Sequence, residues 1–205
     1  MKKLILASAS PRRKELLEQI GLELEVIVGH TDETTDIMQP DIMVQELARR
    51  KCSAVARYLT IEASVRYECY VLGADTVVVH NGMILGKPGD PEAAKAMLRS
   101  LQGDTHQVYT GVCILHIEKN SPEPETDPGH IRLFSVCTDV AVNHMTDEEI
   151  ICYVNSEEPM DKAGAYGIQG QFARHIGSIR GDYTNVVGLP VSSVYNALQE
   201  LQYYH

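Results

Sequence analysis

The sequence predicts an α/β fold, because short apolar runs alternate along the chain with segments of helical periodicity. Local punctuation agrees. Ser10-Pro11 and Asp90-Pro91 each set a capping side chain before a proline at the first helical position, where the missing N–H costs nothing. Asn81-Gly82 is the strongest short hairpin signal in the chain.

The elements follow in order. Lys3–Ala7 reads as a buried strand and Ser10-Pro11 as a helix start, with Ser10 as the cap. Leu16, Leu17 and Ile20 form that helix's apolar stripe, and Gly21 ends it. Leu24–Val28 alternates as a second strand. Asp41 is expected to cap a longer helix that buries Val44, Leu47, Ala48, Val55 and Leu59. Tyr70–Leu72 and Thr76–His80 read as extended, and the Asn81-Gly82 turn leads back into Met83–Leu85. A helix from Asp90-Pro91 turns Ala94, Met97, Leu98 and Leu101 inward and leaves at Gly103. Thr105–His116 and Ile131–Val142 are long strands, separated by the acidic, proline-rich loop Glu118–His130. Thr146-Asp147-Glu148-Glu149 is a capping box. Lys162–Gly170 is a glycine-rich loop, and Pro190–Leu201 is the last helix. With no repeat and no dividing linker, residues 1–205 are expected to form a single domain, or one domain with two lobes.

Composition excludes several function classes. The 44% apolar and 22% charged shares are those of a globular protein. No apolar run approaches the roughly 18 residues needed to span a bilayer. The apolar stretch before Ser8 is shorter than the roughly seven residues of a signal-peptide core, so a cytoplasmic protein is expected, with no membrane partner. A net charge of −10 lacks the basic footprint of a nucleic-acid-binding protein. It still permits a local pocket for a small anion, with a divalent metal supplying further charge. The five cysteines (52, 69, 113, 137 and 152) hold no Cys-x-x-Cys pair and are expected to be buried, reduced thiols.

Six segments can carry chemistry. Ser8-Ala9-Ser10-Pro11-Arg12-Arg13 leads into a helix N-terminus, which favours anions, and guanidinium forks match phosphate oxygens. A merely capped surface helix with solvated arginines is the competing reading, and both stay open. In Gly73-Ala74-Asp75-Thr76 an acid ends an apolar strand, where it can bind a divalent ion or take a proton from water; a turn aspartate is the plainer alternative. Asp32-Glu33 can add a carboxylate, or be only a solvated pair. Gly86-Lys87-Pro88 can aim an ammonium from a restricted turn, with a turn lysine in water the plainer alternative, and of Arg49, Arg50 and Lys51 only one or two can face inward. Asp161–Gly170 lets backbone approach a ligand, and the Gln169 amide can read the edge of a base. Neither a Walker motif nor a dinucleotide fingerprint is present, and the histidines lack ligand spacing.

Further pieces complete an ordered set: Leu6–Leu17, Leu47–Lys51, Gly73–Val78, Asp161–Gly170 and Gly181-Asp182-Tyr183-Thr184-Asn185-Val186-Val187-Gly188-Leu189-Pro190. Together with Asp32-Glu33 and Gly86-Lys87-Pro88, in this order and over nearly the whole chain, they resemble the Maf family of nucleotide pyrophosphatases. The resemblance implies a Maf/Ham1 (ITPase-like) α/β fold, a mixed twisted sheet with flanking helices, two lobes around a central cleft, and a homodimer. It implies hydrolysis of a nucleoside triphosphate to monophosphate and pyrophosphate with a divalent cation, Mg²⁺ or alternatively Mn²⁺ or Co²⁺. Carried over by motif, Asp75 is the proton acceptor, Glu33 helps to hold metal or water, and Lys87 joins them among the catalytic groups. Asp75 and Glu33 are the expected metal ligands. Ser8, Arg13, Lys51 and Lys87 would bind phosphates, and Arg12, Thr76 and Gln169 hold the positions linked with base selectivity.

The Asp-Lys-Ala-Gly-Ala-Tyr-Gly-Ile-Gln-Gly form resembles the branch acting on dTTP and UTP rather than on 7-methyl-GTP. The family is also associated with modified pyrimidine nucleotides, nucleotide house-cleaning and inhibition of septum formation. The alternative function is therefore a nucleotide-binding regulator of division without turnover; an acidic interaction protein is a third, supported only by net charge. Two segments depart from the family pattern: Gln171-Phe172-Ala173-Arg174-His175 replaces an apolar run, and Glu118–His130 is long.

Overall fold

In a computed structural model, residues 2–62, 67–119 and 130–204 are described. The elements are β1 (Lys3–Leu6), α1 (Pro11–Gln19), β2 (Leu24–Val26), α2 (Pro40–Arg57), β3 (Cys69–His80), β4 (Met83–Leu85) and α3 (Pro91–Leu101). They continue with β5 (Thr105–Ile117), β6 (Ile131–Val142), α4 (Asp147–Val154), β7 (Ile176–Arg180), α5 (Tyr183–Val187) and α6 (Val191–Glu200). A π turn over Tyr58–Glu62 prolongs α2, and short 3-10 turns occupy Glu158–Asp161, Ala163–Ala165 and Gln171–His175. The result is an α/β chain with a mixed seven-stranded sheet in the order β2-β1-β3-β5-β6-β7, β4 pairing with β3. The loop expected at Glu118–His130 lies, apart from its ends, outside the described residues.

The chain forms two compact units: Met1–Asp75 with Thr110–Val136 and Gly188–His205, and Thr76–Tyr109 with Cys137–Val187. In the first, β1 pairs in parallel with β2 (Leu4 with Leu24) and with β3 (Leu4 with Tyr70). Its core packs Ile5 and Val71 of the sheet against Ala48, Cys52 and Val55 of α2. Two glycines set how deep α2 sits. A Cβ on Gly73 would lie 2.5 Å from the Ala48 carbonyl oxygen and 2.9 Å from the Cys52 nitrogen, and one on Gly111 would overlap the Val44 carbonyl. Because Gly73 does not interrupt pairing, the two extended segments read on either side of it are one strand, β3.

Three helix details differ from expectation. Ser10 stands at the N-cap of α1, but its side chain makes no cap bond; Ser8 Oγ instead accepts the Ser10 N–H at 3.2 Å. Arg13 is buried beside Leu16 and Leu17, whereas Ile20, at the C-cap, is 40% exposed. The cap of α2 is Gln39 with Pro40 following, and Asp41 falls in the first turn, where its charge still favours the helix dipole.

In the second unit β4 pairs antiparallel with β3, His80 opposite Met83. The turn places both Asn81 (φ 49°) and Gly82 (φ 75°) in the left-handed region that this hairpin requires. Asp90 caps α3 through the Ala93 N–H at 2.8 Å, and Thr146 and Glu149 form both halves of the capping box of α4. The atypical 171–175 segment is a 3-10 turn that buries Phe172 and His175, with Phe172 against Tyr153 and Tyr166. All five cysteines are free thiols, but only Cys52, Cys69 and Cys113 are buried. Cys137 and Cys152 are exposed, Cys152 because α4 buries Ile150, Tyr153 and Val154 instead. No described helix is long and apolar enough to cross a membrane.

Candidate active site

Asp75 lies within β3 rather than at a strand end, because the strand continues through Gly73 to His80, and α2 faces it with Lys51. Lys51 Nζ lies 2.5 Å from Asp75 Oδ1 and 2.8 Å from Glu33 Oε1, so one ammonium joins two carboxylates that are 42 residues apart in sequence, 75 against 33. The Lys51 and Asp75 side chains are 16% and 13% exposed and Glu33 is 59% exposed, which leaves the pair open to solvent on the Glu33 side. Lys51 reaches this position because it sits one residue before Cys52, on the stretch of α2 pressed against Gly73.

The neighbouring arginines are used differently. Arg49 forms a two-pronged bond to Glu46, and Arg50 Nε also donates to Glu46 at 2.9 Å. Arg50 Nη1 donates to the carbonyls of Asp32 (3.1 Å) and Thr34 (2.8 Å), fixing the backbone on both sides of Glu33. Asp32 itself turns inward on its loop, accepting the Thr34 N–H at 2.8 Å, and that bond holds its carboxyl below the ordinary range. Of the basic triplet, Lys51 alone is bonded to the acidic pair.

The β1–α1 turn adds a second set. Arg13 Nε donates to the Gly188 carbonyl at 2.9 Å, and Nη1 donates to the Ala74 carbonyl at 2.9 Å and to Ser8 Oγ at 3.0 Å. The guanidinium thus pins the backbone immediately before Asp75. Burial lowers the Arg13 pKa; Asp75 opposes the shift, Arg12 adds to it by repulsion, and Glu33 opposes it. Ser8, Arg12, Arg13, Glu33, Lys51 and Asp75 are all in the first unit.

Thr76, Lys87 and Gln169 belong to the second unit. Lys87 is exposed just after β4, between Gly86, whose carbonyl accepts the Gly164 N–H at 3.0 Å, and the buried Pro88. Gln169 is exposed in the turn Gly167–Gly170, closed by the Gly170 N–H donating to the Gly167 carbonyl at 3.2 Å.

Among the described residues no three His, Cys, Asp or Glu side chains gather as a metal-binding group. Asp75 and Glu33, however, already converge on one cationic atom. Such a pair suits Mg²⁺, which keeps several waters and is held by one or two carboxylates together with substrate phosphates. Two positions were not foreseen from sequence: Arg50, which aims Glu33, and Gly111, which admits α2. The Glu46–Arg50 spacing of four residues was the available signal for the first.

A profile of the family described as Maf-like protein matches residues 3–201. The chain belongs to the Maf-like family. This Maf-like chain is 48% identical to the dTTP/UTP pyrophosphatase of Agathobacter rectalis, over 98% of each chain. It is 47% identical to the protein of that name from Geobacillus sp. (strain WCH70), over 98% of this chain and 99% of the relative. For the one from Lachnoclostridium phytofermentans the identity is 42%, over 98% and 95%. Among solved structures, the Staphylococcus aureus Ham1 protein aligns over 97% of this chain and 98% of its own, at 14% identity and a TM-score of 0.44. Membership in the Maf-like family rests on the sequence matches.

Proposed function

We propose that this protein hydrolyses a nucleoside triphosphate of the dTTP or UTP class to the monophosphate and pyrophosphate. The observation that carries the reading is the single Lys51 ammonium set between Asp75 and Glu33. Acidic groups that can hold a divalent cation or a water, and a cation that can meet a phosphate, are here within hydrogen-bonding reach of one another. The three relatives named above, all called dTTP/UTP pyrophosphatase, supply the substrate class.

Asp75 accepts the proton of the attacking water; its carboxylate is held in place by Lys51 and by the Arg13 bond to the preceding carbonyl. The water oxygen bonds to phosphorus, the bridge between the α- and β-phosphates breaks, and pyrophosphate leaves. Asp75 and Glu33 would hold a divalent cation, Mg²⁺ or alternatively Mn²⁺ or Co²⁺, which supplies neutralisation of the polyphosphate charge. Ser8, Arg13 and Lys51 are assigned to the phosphates, since phosphoryl transfer needs chiefly positioning and charge stabilisation. Lys87 is likewise assigned to the phosphates, and Arg12, Thr76 and Gln169 to the base, on motif correspondence and side-chain chemistry. A homodimer and a cytoplasmic location belong to the same proposal and rest on the resemblance; light scattering and cell fractionation test them.

Asp75→Asn is the direct test. It keeps the shape but removes the proton acceptor, so pyrophosphate release from dTTP with Mg²⁺ is expected to fall at least ~10²-fold while the thermal melt stays cooperative. A folded Asp75→Asn protein with full turnover would remove Asp75 from the mechanism. A wild-type protein that binds dTTP but yields no dTMP would favour a regulator without turnover.

A further inference from the structure

The exposed turn that carries Gln169 is held at both ends by one pair of side chains, neither of which stands out in the sequence. Tyr153, on α4, accepts the Gly167 N–H at 3.2 Å and donates its own hydroxyl to Glu158 Oε1 at 2.9 Å. Glu158 Oε2 accepts the Gln171 N–H at 3.1 Å. The tyrosine and the glutamate therefore form a continuous polar bridge from the residue that opens the Gly167–Gly170 turn to the residue just beyond it.

The surroundings lock this bridge. The Tyr153 ring is fully buried, 5.2 Å from Phe172, which in turn packs 4.8 Å from Tyr166. Lys162 Nζ donates to the Glu158 carbonyl at 2.6 Å and pairs with Asp161, fixing the backbone from which Glu158 projects. Both glycines of the turn are pressed against the same groups. A Cβ on Gly167 would come within 2.6 Å of Lys162 Cε, and one on Gly170 would overlap the Glu158 carboxylate. All of these residues lie in the second unit.

A four-residue turn flanked by glycines has many backbone conformations open to it, and each residue fixed costs conformational entropy. An amide can discriminate bases only if its donor and acceptor ends keep a set orientation, because it is rejection by an unpaired polar group that gives selectivity. We propose that Tyr153 and Glu158 are positioning residues that hold the Gly167–Gly170 turn and thereby aim the Gln169 amide at the substrate base. The proposal rests on the function proposed above, in which Gln169 reads that base.

The test compares steady-state kinetics on dTTP and dCTP with Mg²⁺, two substrates whose bases differ chiefly in an acceptor oxygen against a donor amine. Gln169→Ala and Glu158→Ala are each expected to lower the ratio of kcat/KM for dTTP over dCTP about 10-fold. For Glu158→Ala the loss falls on KM, with kcat for dTTP held within about 2-fold. Glu158→Gln, whose amide can still accept from Gln171 and donate to Tyr153, is expected to keep the ratio within about 3-fold of wild type. Gly170→Ala, which displaces the carboxylate without touching the core, is expected to behave like Glu158→Ala. Tyr153→Phe, which keeps the ring, gives the same reading if Glu158→Ala does not fold.

The double variant Glu158→Ala/Gln169→Ala should discriminate no worse than Gln169→Ala alone, since the bridge acts through Gln169. Unchanged discrimination in Glu158→Ala, with loss in Gln169→Ala, overturns the positioning role and leaves the reading of Gln169 standing. Unchanged discrimination in Gln169→Ala overturns both. Absence of turnover in the wild type overturns the proposed function itself.

Discussion

Replacing Arg13 with methionine tests whether a buried guanidinium organises the site or only lends it charge. The side chain is 9% exposed and donates to the Gly188 and Ala74 carbonyls and to Ser8 Oγ. A hydrogen bond from a charged donor is worth ~1.5–3 kcal/mol net, and burial of the guanidinium, which lowers its pKa, offsets part of the sum of three. Methionine fills much of the same volume but leaves two carbonyls without this donor, at about 1–3 kcal/mol each; Ser8 Oγ keeps the Ser10 N–H. A net loss of about 3 kcal/mol is expected, and for a chain of this size each kcal/mol moves Tm by about 2–4 °C, giving a fall of roughly 6–12 °C. Arg13→Lys, which has a point charge in place of a planar fork, should lose about half as much. Thermal melts followed by circular dichroism, checked by urea unfolding, measure both. A Tm for Arg13→Met within about 2 °C of wild type would refute the claim that these three bonds hold β1–α1, Ala74 and Gly188 together.

Two further perturbations follow from burial. Gly73→Ala would set a methyl 2.5 Å from the Ala48 carbonyl oxygen, a backbone atom that cannot swing away, so a loss of ~1–3 kcal/mol or more is expected. Because Lys51 lies on the displaced stretch of α2, dTTP turnover should fall with Tm; retention of both would show that α2 can back away without harm. His106 is 1% exposed, and burial, aided by repulsion from His80, lowers its pKa to about 4, against 6.5 when unfolded. Between those values the unfolded chain holds the extra proton, so the stability His106 contributes is complete above pH 6.5 and is lost as pH falls toward 4. The contribution at stake is about 3 kcal/mol. His106→Gln should accordingly flatten the dependence of urea stability on pH from 7 to 4.5, and a slope identical to wild type would contradict the assignment.

Signals that depend on a few neighbouring residues were the legible ones. The Asn81-Gly82 turn, the Asp90 cap and the Thr146–Glu149 box are each complete within four residues, and all three are found. Reading failed where an outside partner decides. Arg13 sits three and four residues before Leu16 and Leu17, on the buried stripe, yet the sequence leaves an anion cradle and a solvated arginine both open, and its bonds to the carbonyls of Ala74 and Gly188 are not legible there. Ser10 keeps the cap position of α1 without a side-chain cap bond, and its N–H instead meets Ser8, which is itself held by Arg13. Exposure of Cys137 and Cys152 depends on which faces of β6 and α4 are covered, and thiols carry no charge to announce it. Of the candidate site, motif correspondence had already pointed to Lys51, while the residues alone left it open among Arg49, Arg50 and Lys51; helix phase supplies the physical reason, setting Lys51 towards Glu33 and Asp75.

That phase explains how an exposed loop can deliver a carboxylate to a partly buried one. Successive helical residues point about 100° apart, so Arg50 and Lys51 serve two directions from one turn of α2. Arg50 is anchored to Glu46, one turn back, and with its other nitrogen grips the carbonyls on either side of Glu33. Lys51 then takes the Glu33 carboxylate itself and passes on to Asp75. Glu33 is thus located by α2 twice, through its neighbouring carbonyls and through its side chain, and Asp75 is located by the same helix because Gly73 lets α2 reach the strand. Among the described residues no third acidic side chain gathers with this pair, so its spacing rests on α2, and Glu33 is its solvent-exposed member.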